Sequence, residues 1–232
     1  MRLFAIGDLH LSGGDDKPMD IFGPQWDRHF LRVEENWRMR VAPEDTVLIP
    51  GDISWAMHLE DAVADLCWIG RLPGRKILCK GNHDYWWNAI SRVRAELPPG
   101  MEALQHDAVE LESCIVCGTR GWLIPTQAQA LSPRDEKLYR REAERLNMAL
   151  EAARRKSAGK PLVVMMHYPP LYPGDRENCF TRALEEAGAA LVVYGHLHGA
   201  GIACGFQGEW RGVQYRLVSC DSIDFAPAEL KI

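Results

Sequence analysis

The sequence contains no apolar run of the roughly 20 residues that a membrane-spanning helix needs. Its first apolar run, Leu3 to Ile6, stops at Gly7 and Asp8, too short for the hydrophobic segment of a secretory signal. Both absences predict a cytoplasmic protein with no membrane partner. An excess of positive charge is missing too: Lys plus Arg total 27 against 32 Asp plus Glu, a net charge of -5, so no extended nucleic-acid surface is expected. The seven cysteines lack the pattern of a disulfide framework. They are odd in number and mostly within apolar runs, as suits reduced core thiols. Cys114 and Cys117 form one CxxC, but in a strand-like stretch where positions three apart point to opposite faces, and no second CxxC completes a zinc site. Internal repeats, low-complexity tracts and linkers are absent as well. With 232 residues, 47% of them apolar, the chain can bury a full core, and a single domain over 1–232 is expected.

What is present is a series of short apolar runs, each ending in a turn that carries polar groups. Arg2 to Ile6 reads as a strand, and Gly7 then delivers Asp8 and His10, which share a face of an extended segment. Pro24 to Val41 has helical spacing of Trp26, Phe30, Val33 and Trp37; Thr46 to Ile49 is a second strand that Pro50-Gly51 turns into Asp52. Leu59 to Ile69 is amphipathic and stops near Gly70. The run Lys76 to Lys80 ends at Gly81 and presents Asn82, His83 and Asp84, and a helix from Asn88 to Leu97 follows. Three strand-helix units in a row predict right-handed crossovers and a largely parallel sheet. Met101 to Cys117 reads as short, partly antiparallel strands of a second half. Thr119 to Ser132 is irregular, and Ser132-Pro133 with Asp135 starts a long helix to about Lys156. Pro161 to Met166 is a strand carrying His167; Thr181 to Ala187 is a short helix; Ala190 to Tyr194 is a strand from which Gly195 releases His196 and His198; Gln214 to Cys220 completes the sheet.

The strand ends together hold Asp8, His10, Asp52, Asn82, His83, His167, His196 and His198, which include five of the eight histidines. A lone histidine at such a place is a hydrogen-bonded structural residue, and His29 and His106 are read so. Gathering the whole set is different: burying several charged or half-charged groups costs several kcal/mol unless a cation compensates. Imidazole and carboxylate donors without thiolate suit Mn, Fe, Co or Zn, whereas Ca prefers all-oxygen cages. Eight groups exceed the needs of one ion, so two divalent ions sharing a carboxylate are expected.

The order Asp8-Leu9-His10, Gly51-Asp52, Gly81-Asn82-His83-Asp84, His167, Gly195-His196-Leu197-His198 resembles the calcineurin-like metallophosphoesterase family, and the resemblance spans residues 8 to 198. It implies an α/β fold in which two mixed β-sheets pack as a sandwich flanked by helices, with a dinuclear centre at the strand ends. Carried over by position, Asp8, His10, Asp52 and His198 would hold one metal and Asp52, Asn82, His167 and His196 the other. His83 would face the substrate as a catalytic group and Asp84 would orient it. Two cations about 3.5–4 Å apart ionise a bridging water near neutral pH and clamp the phosphoryl oxygens for in-line displacement. The implied reaction is metal-dependent hydrolysis of a phosphorylated small molecule or nucleotide. A phosphodiester is favoured because no separate substrate domain is visible to enclose a monoester; phosphomonoester and nucleotide pyrophosphate are the alternatives, and a non-catalytic metal-binding scaffold is the remaining one. Relatives that cleave lipid-linked pyrophosphates have Arg where this chain has His83, which argues against that activity. Trp55, His58, Trp86 and Trp87 lie close to ligand positions and either wall the pocket or pack in the core, and Arg120 either reaches phosphate from the irregular segment or is an ordinary surface residue.

Overall fold

The structure is a computed structural model that describes residues 1–13, 19–156 and 159–232. Eleven strands form two sheets among these residues. The first sheet takes β1 (Leu3–Ala5), β2 (Thr46–Pro50), β3 (Arg75–Cys79) and β4 (Met101–Ala103) in parallel, with the short β11 (Ala228–Leu230) antiparallel on the outer side of β1. The second has the order β5 (Ala108–Glu110), β6 (Ile115–Thr119), β7 (Leu162–Met166), β8 (Ala189–Tyr194), β10 (Val213–Leu217), β9 (Gly208–Trp210). Its central strands β6, β7, β8 and β10 are parallel, and antiparallel β5 and β9 close its edges.

Alternation along each strand assigns its side chains to two layers. Leu3, Ala5, Leu48, Ile77 and Cys79 point inward and meet Val116, Val163, Met165 and Val193 of the second sheet. Phe4, Val47, Ile49 and Leu78 point outward, where α1 (His29–Arg40), α2 (Leu59–Gly70) and α3 (Ile90–Glu96) cover them with Val33, Trp37, Leu66, Ile69 and Val93. Cys117, Val164, Met166 and Val192 face outward on the second sheet and are covered by Leu146, Ala149 and Ala153 of α4 (Pro133–Lys156) and by Phe180 and Leu184 of α5 (Cys179–Glu186). The result is the expected helix-sheet-sheet-helix sandwich. All seven cysteines are free, and Cys114 and Cys117 sit in different layers, as their spacing predicts.

Two expectations are corrected, and two short strands were not anticipated. The helix expected over 24–41 is broken: Pro24–Trp26 forms a short 3-10 turn, and Arg28 at φ 44° is left-handed, so α1 begins at His29. β4 does not belong to the second half but extends the first sheet beside β3. The edge strands β9 and β11, three residues each, were not anticipated because pieces so short carry no periodicity.

Candidate metal centre

The parallel strands of both sheets deliver their following turns to one edge of the sandwich, the place where ligands bind in open α/β sheets. Close approach of neighbouring turns dictates glycine there. A Cβ on Gly81 would collide with the Asp52 carboxylate and backbone, and one on Gly195 with the Asp8 carboxylate. The residues released are strained in turn: Asp8 (φ 57°), His10 (45°), Asp52 (49°) and His196 (74°) are all left-handed. Asp and His tolerate this region better than bulkier residues, and four of the gathered positions adopt it.

The donor atoms fall into two groups, Asp8, His10 and His198, and Asp52, His167 and His196, within each of which one donor atom per residue lies no more than 4.8 Å from the others. In the first, His10 Nε2 is 3.4 Å from His198 Nε2, which is 3.4 Å from Asp8 Oδ1. In the second, His167 Nε2 is 3.3 Å from His196 Nδ1, 3.4 Å from Asp52 Oδ2 and 2.6 Å from Asn82 Oδ1. Asp52 Oδ2 is also 3.8 Å from His10 Nε2, so one oxygen reaches both groups. The outer nitrogens set the tautomers. His167 Nδ1 donates to the Pro50 carbonyl at 3.1 Å, which leaves its Nε2 lone pair for a cation, and His198 Nδ1 donates to Asp221 Oδ1 at 2.8 Å, which turns its Nε2 toward the cluster, where a bound cation would take the place of its proton.

Electrostatics point the same way. Burial, and then the negative charges of Asp8 and Asp84, push the Asp52 carboxyl well above its usual range. For Asp8 burial also opposes ionisation, but the hydrogen bond and the charge of His198 hold it low. Burial lowers His10, His167 and His196, the last to about 3, so these rings are neutral and ligand-ready. His198 is held up at about 10: burial lowers it, but Asp221 and Asp8 outweigh that. A site of converging lone pairs with one carboxylate that resists ionisation is what a cation resolves, so the residues present fit bound divalent metal.

The other anticipated residues separate. His83 lies beside the cluster, its ring 4.4 Å from Trp55 and 5.7 Å from His10, and its Nδ1 is buried without a hydrogen-bond partner. Trp55 stacks on His10 at 4.9 Å and forms one wall. Asp84 does not hold His83 Nδ1. Its carboxylate accepts from the backbone of Gly81, Ile53 and Ser54 and from Trp86 Nε1, which ties the turn after β2 to the turn after β3. Trp86 is fully buried and bound to Asp84, and Trp87 is in the same core, so neither walls the pocket. His58 is exposed ahead of α2, in a separate shallow cavity with Asn88 and Arg92. Arg120 turns inward to Glu142 and lies over Trp122, while its carbonyl accepts from the His167 and Tyr168 backbone. His29 bonds the Leu9 carbonyl and is structural, as expected. Three residues were not anticipated. Asp221 orients His198, Trp26 packs edge-on against it at 5.4 Å, and Tyr168 lies against His196 at 4.2 Å. Asp221 follows β10 as the other carboxylates follow their strands, and that same signal would have found it.

A buried cluster of imidazoles and carboxylates at parallel strand ends defines a candidate centre for divalent metal. The sequence matches the family described as calcineurin-like phosphoesterase over residues 1–200, and the chain belongs to that family. It is therefore a metal-dependent phosphohydrolase. Comparison with curated proteins gives no match. Among solved structures, a phosphopantetheinyl hydrolase from Mycobacterium tuberculosis is 16% identical with a TM-score of 0.57, over 94% of this chain and 88% of that one. A protein of unknown function from Aquifex aeolicus is also 16% identical, with a TM-score of 0.54 over 98% and 95%. At such identity these likenesses show the fold. No described helix is long and apolar enough to cross a membrane.

Proposed function

We propose that the protein hydrolyses a phosphodiester at a centre for two divalent cations, Mn, Fe or Zn. The observation that carries this reading is Asp52 Oδ2, within 3.8 Å of His10 Nε2 and 3.4 Å of His167 Nε2. Asp8, His10, Asp52 and His198 would hold one cation, and Asp52, Asn82, His167 and His196 the other. When bound, such a pair supplies a water ionised near neutral pH and positive charge for the phosphoryl oxygens. The chain's own residues do the rest. Asp221 and the Pro50 carbonyl keep His198 and His167 in their ligating tautomers. Asp84 holds the turn that carries Asn82 and His83 against the turn that carries Asp52. His83, with a ring nitrogen at the cluster that no protein group uses, would act from its imidazolium form, which burial and then the His167 ring disfavour, and in that form gives its proton to the leaving oxygen and is left as neutral imidazole. Aromatic surfaces flank the cluster on both sides, Trp55 beside His10 and Tyr168 beside His196, and they suit a phosphorus that carries a group on each side.

The test is hydrolysis of bis-nitrophenyl phosphate and nitrophenyl phosphate by the purified protein with added Mn, beside an Asp52→Asn control. Turnover of the diester with little of the monoester, lost in the control, supports the reading. Preference for the monoester makes the protein a phosphatase, and turnover of neither overturns both in favour of a pyrophosphate substrate.

A further inference from the structure

A cavity of about 200 Å³ lies between the turn after β3, the end of β6 and the middle of α4. Lys80, Arg120, Arg141 and Arg145 line it together with His106 and a single carboxylate, Glu142. Glu142 is fully buried and already saturated: Thr119 Oγ1 donates at 2.9 Å, Arg120 Nη2 at 3.2 Å and Arg145 Nη1 at 2.6 Å. Arg141 stands 3.9 Å from it, too far to hydrogen-bond, and Lys80 Nζ reaches only the Trp87 carbonyl. Four cations around one carboxylate leave a surplus of positive charge in a chain whose net charge is -5. Docking α4 on β6 does not require that surplus, because Arg120 and Arg145 already neutralise Glu142. The Nε of Arg120 is buried with no hydrogen-bond partner. Burial first and Arg145 second hold His106 below its ordinary range, so it adds a neutral ring to the lining.

We propose that this cavity is a second anion-binding site, which takes a tetrahedral oxyanion, either inorganic phosphate or a phosphoryl group carried on a larger molecule. Guanidinium groups match such an ion through paired, charge-assisted hydrogen bonds. The site is joined to the metal centre through the backbone. Lys80 stands two residues before Asn82, and the Arg120 carbonyl accepts from the N–H of His167 at 3.1 Å.

The experiment is calorimetric titration of the full chain carrying Asp52→Asn, which disables the metal centre as a competing phosphate site while asparagine tolerates the left-handed backbone there. Inorganic phosphate is titrated in one arm and adenosine monophosphate in the other. Arg141→Gln and Arg145→Gln are then added singly to the same protein. Arg141 is half exposed and makes no hydrogen bond to Glu142, so its loss leaves the fold intact, which circular dichroism checks. The expected result is one equivalent of bound anion, weakened about tenfold or more by each arginine substitution. Phosphate binding as tightly as the nucleotide identifies the free ion as ligand; tighter nucleotide binding that is equally sensitive to the arginines identifies a carried phosphoryl group. Absence of binding in both arms, or binding unchanged in both arginine variants, overturns the proposal. Turnover does not enter the measurement, so the result is independent of the phosphodiesterase reading.

Discussion

His83 lies beside His10 and Asp221 beside His198, and the proposed function gives the two different tasks. His83 carries a ring nitrogen that no protein group uses, so its removal is expected to cost most where the leaving oxygen is most basic. His83→Ala should slow an alkyl phosphodiester by a further factor of about 10²–10⁴ relative to a nitrophenyl diester. Equal losses on both, measured as kcat, would remove the proton-donor role. Asp221 instead acts through His198, whose Nδ1–H it accepts at 2.8 Å. Asp221→Asn keeps the size of the side chain but loses its charge, and metal affinity in a chelator-competition titration is expected to fall about 10–100-fold. An unchanged affinity would make Asp221 a loop staple, through its other bond to the Gly199 backbone. Residue type at strand ends was enough to anticipate the candidate ligands from sequence. The depth of Trp86 and the inward turn of Arg120 were not, because each depends on a partner, Asp84 or Glu142, whose placement only the packed chain sets.

At the scale of elements, the site depends on how closely adjacent strand-end turns can approach. Gly81 and Gly195 allow that approach, since an added methyl would meet Asp52 in one case and Asp8 in the other. Gly81→Ala and Gly195→Ala are each expected to destabilise the protein by about 1–3 kcal/mol and to abolish most turnover. Gly174→Ala is the control, with nothing within 4 Å of its added Cβ and no left-handed φ. Denaturant midpoints that match the control would show that the turns have room to shift. Local sequence announced these elements well where a strand was followed by glycine and polar groups. It failed for α1, since a left-handed Arg28 has no periodic signature, and for β4, whose sheet is decided by pairing with β3 and not by its own three residues.

Over the whole molecule, one buried charge has a measurable signature. Lys76 is 2% exposed at the start of β3, and its ammonium reaches the carbonyls of Gly70, the last residue of α2, and of Leu72 just beyond it. Burial brings its pKa down to about 8. Unfolded, a lysine titrates near 10.4. Below pH 8 both states carry the proton and the desolvation cost is constant; between about pH 8 and 10 the unfolded chain binds more protons, so raising the pH favours the folded state. The wild type should therefore gain stability relative to Lys76→Met across that window, by at most about 1.4 kcal/mol per pH unit. Buried thiols such as Cys117, pushed up to about 12 by burial, act in the opposite direction but equally in both proteins, so the difference isolates Lys76. Parallel profiles from guanidinium midpoints would contradict it. The sequence alone determined the strand-end motifs, the class of donor atoms and the alternation of strands and helices, because glycine turns, side-chain period and ligand chemistry are properties of a few neighbouring residues. Only the tertiary structure decided that Asp52 reaches both ligand groups, that Asp221 stands behind His198, that Asp84 staples backbone, and that four cations enclose Glu142. Most of those contacts, such as Asp52 with His167, Asp221 with His198 and Thr119 with Glu142, join residues between about twenty and well over a hundred positions apart, so only the packed chain sets their distances.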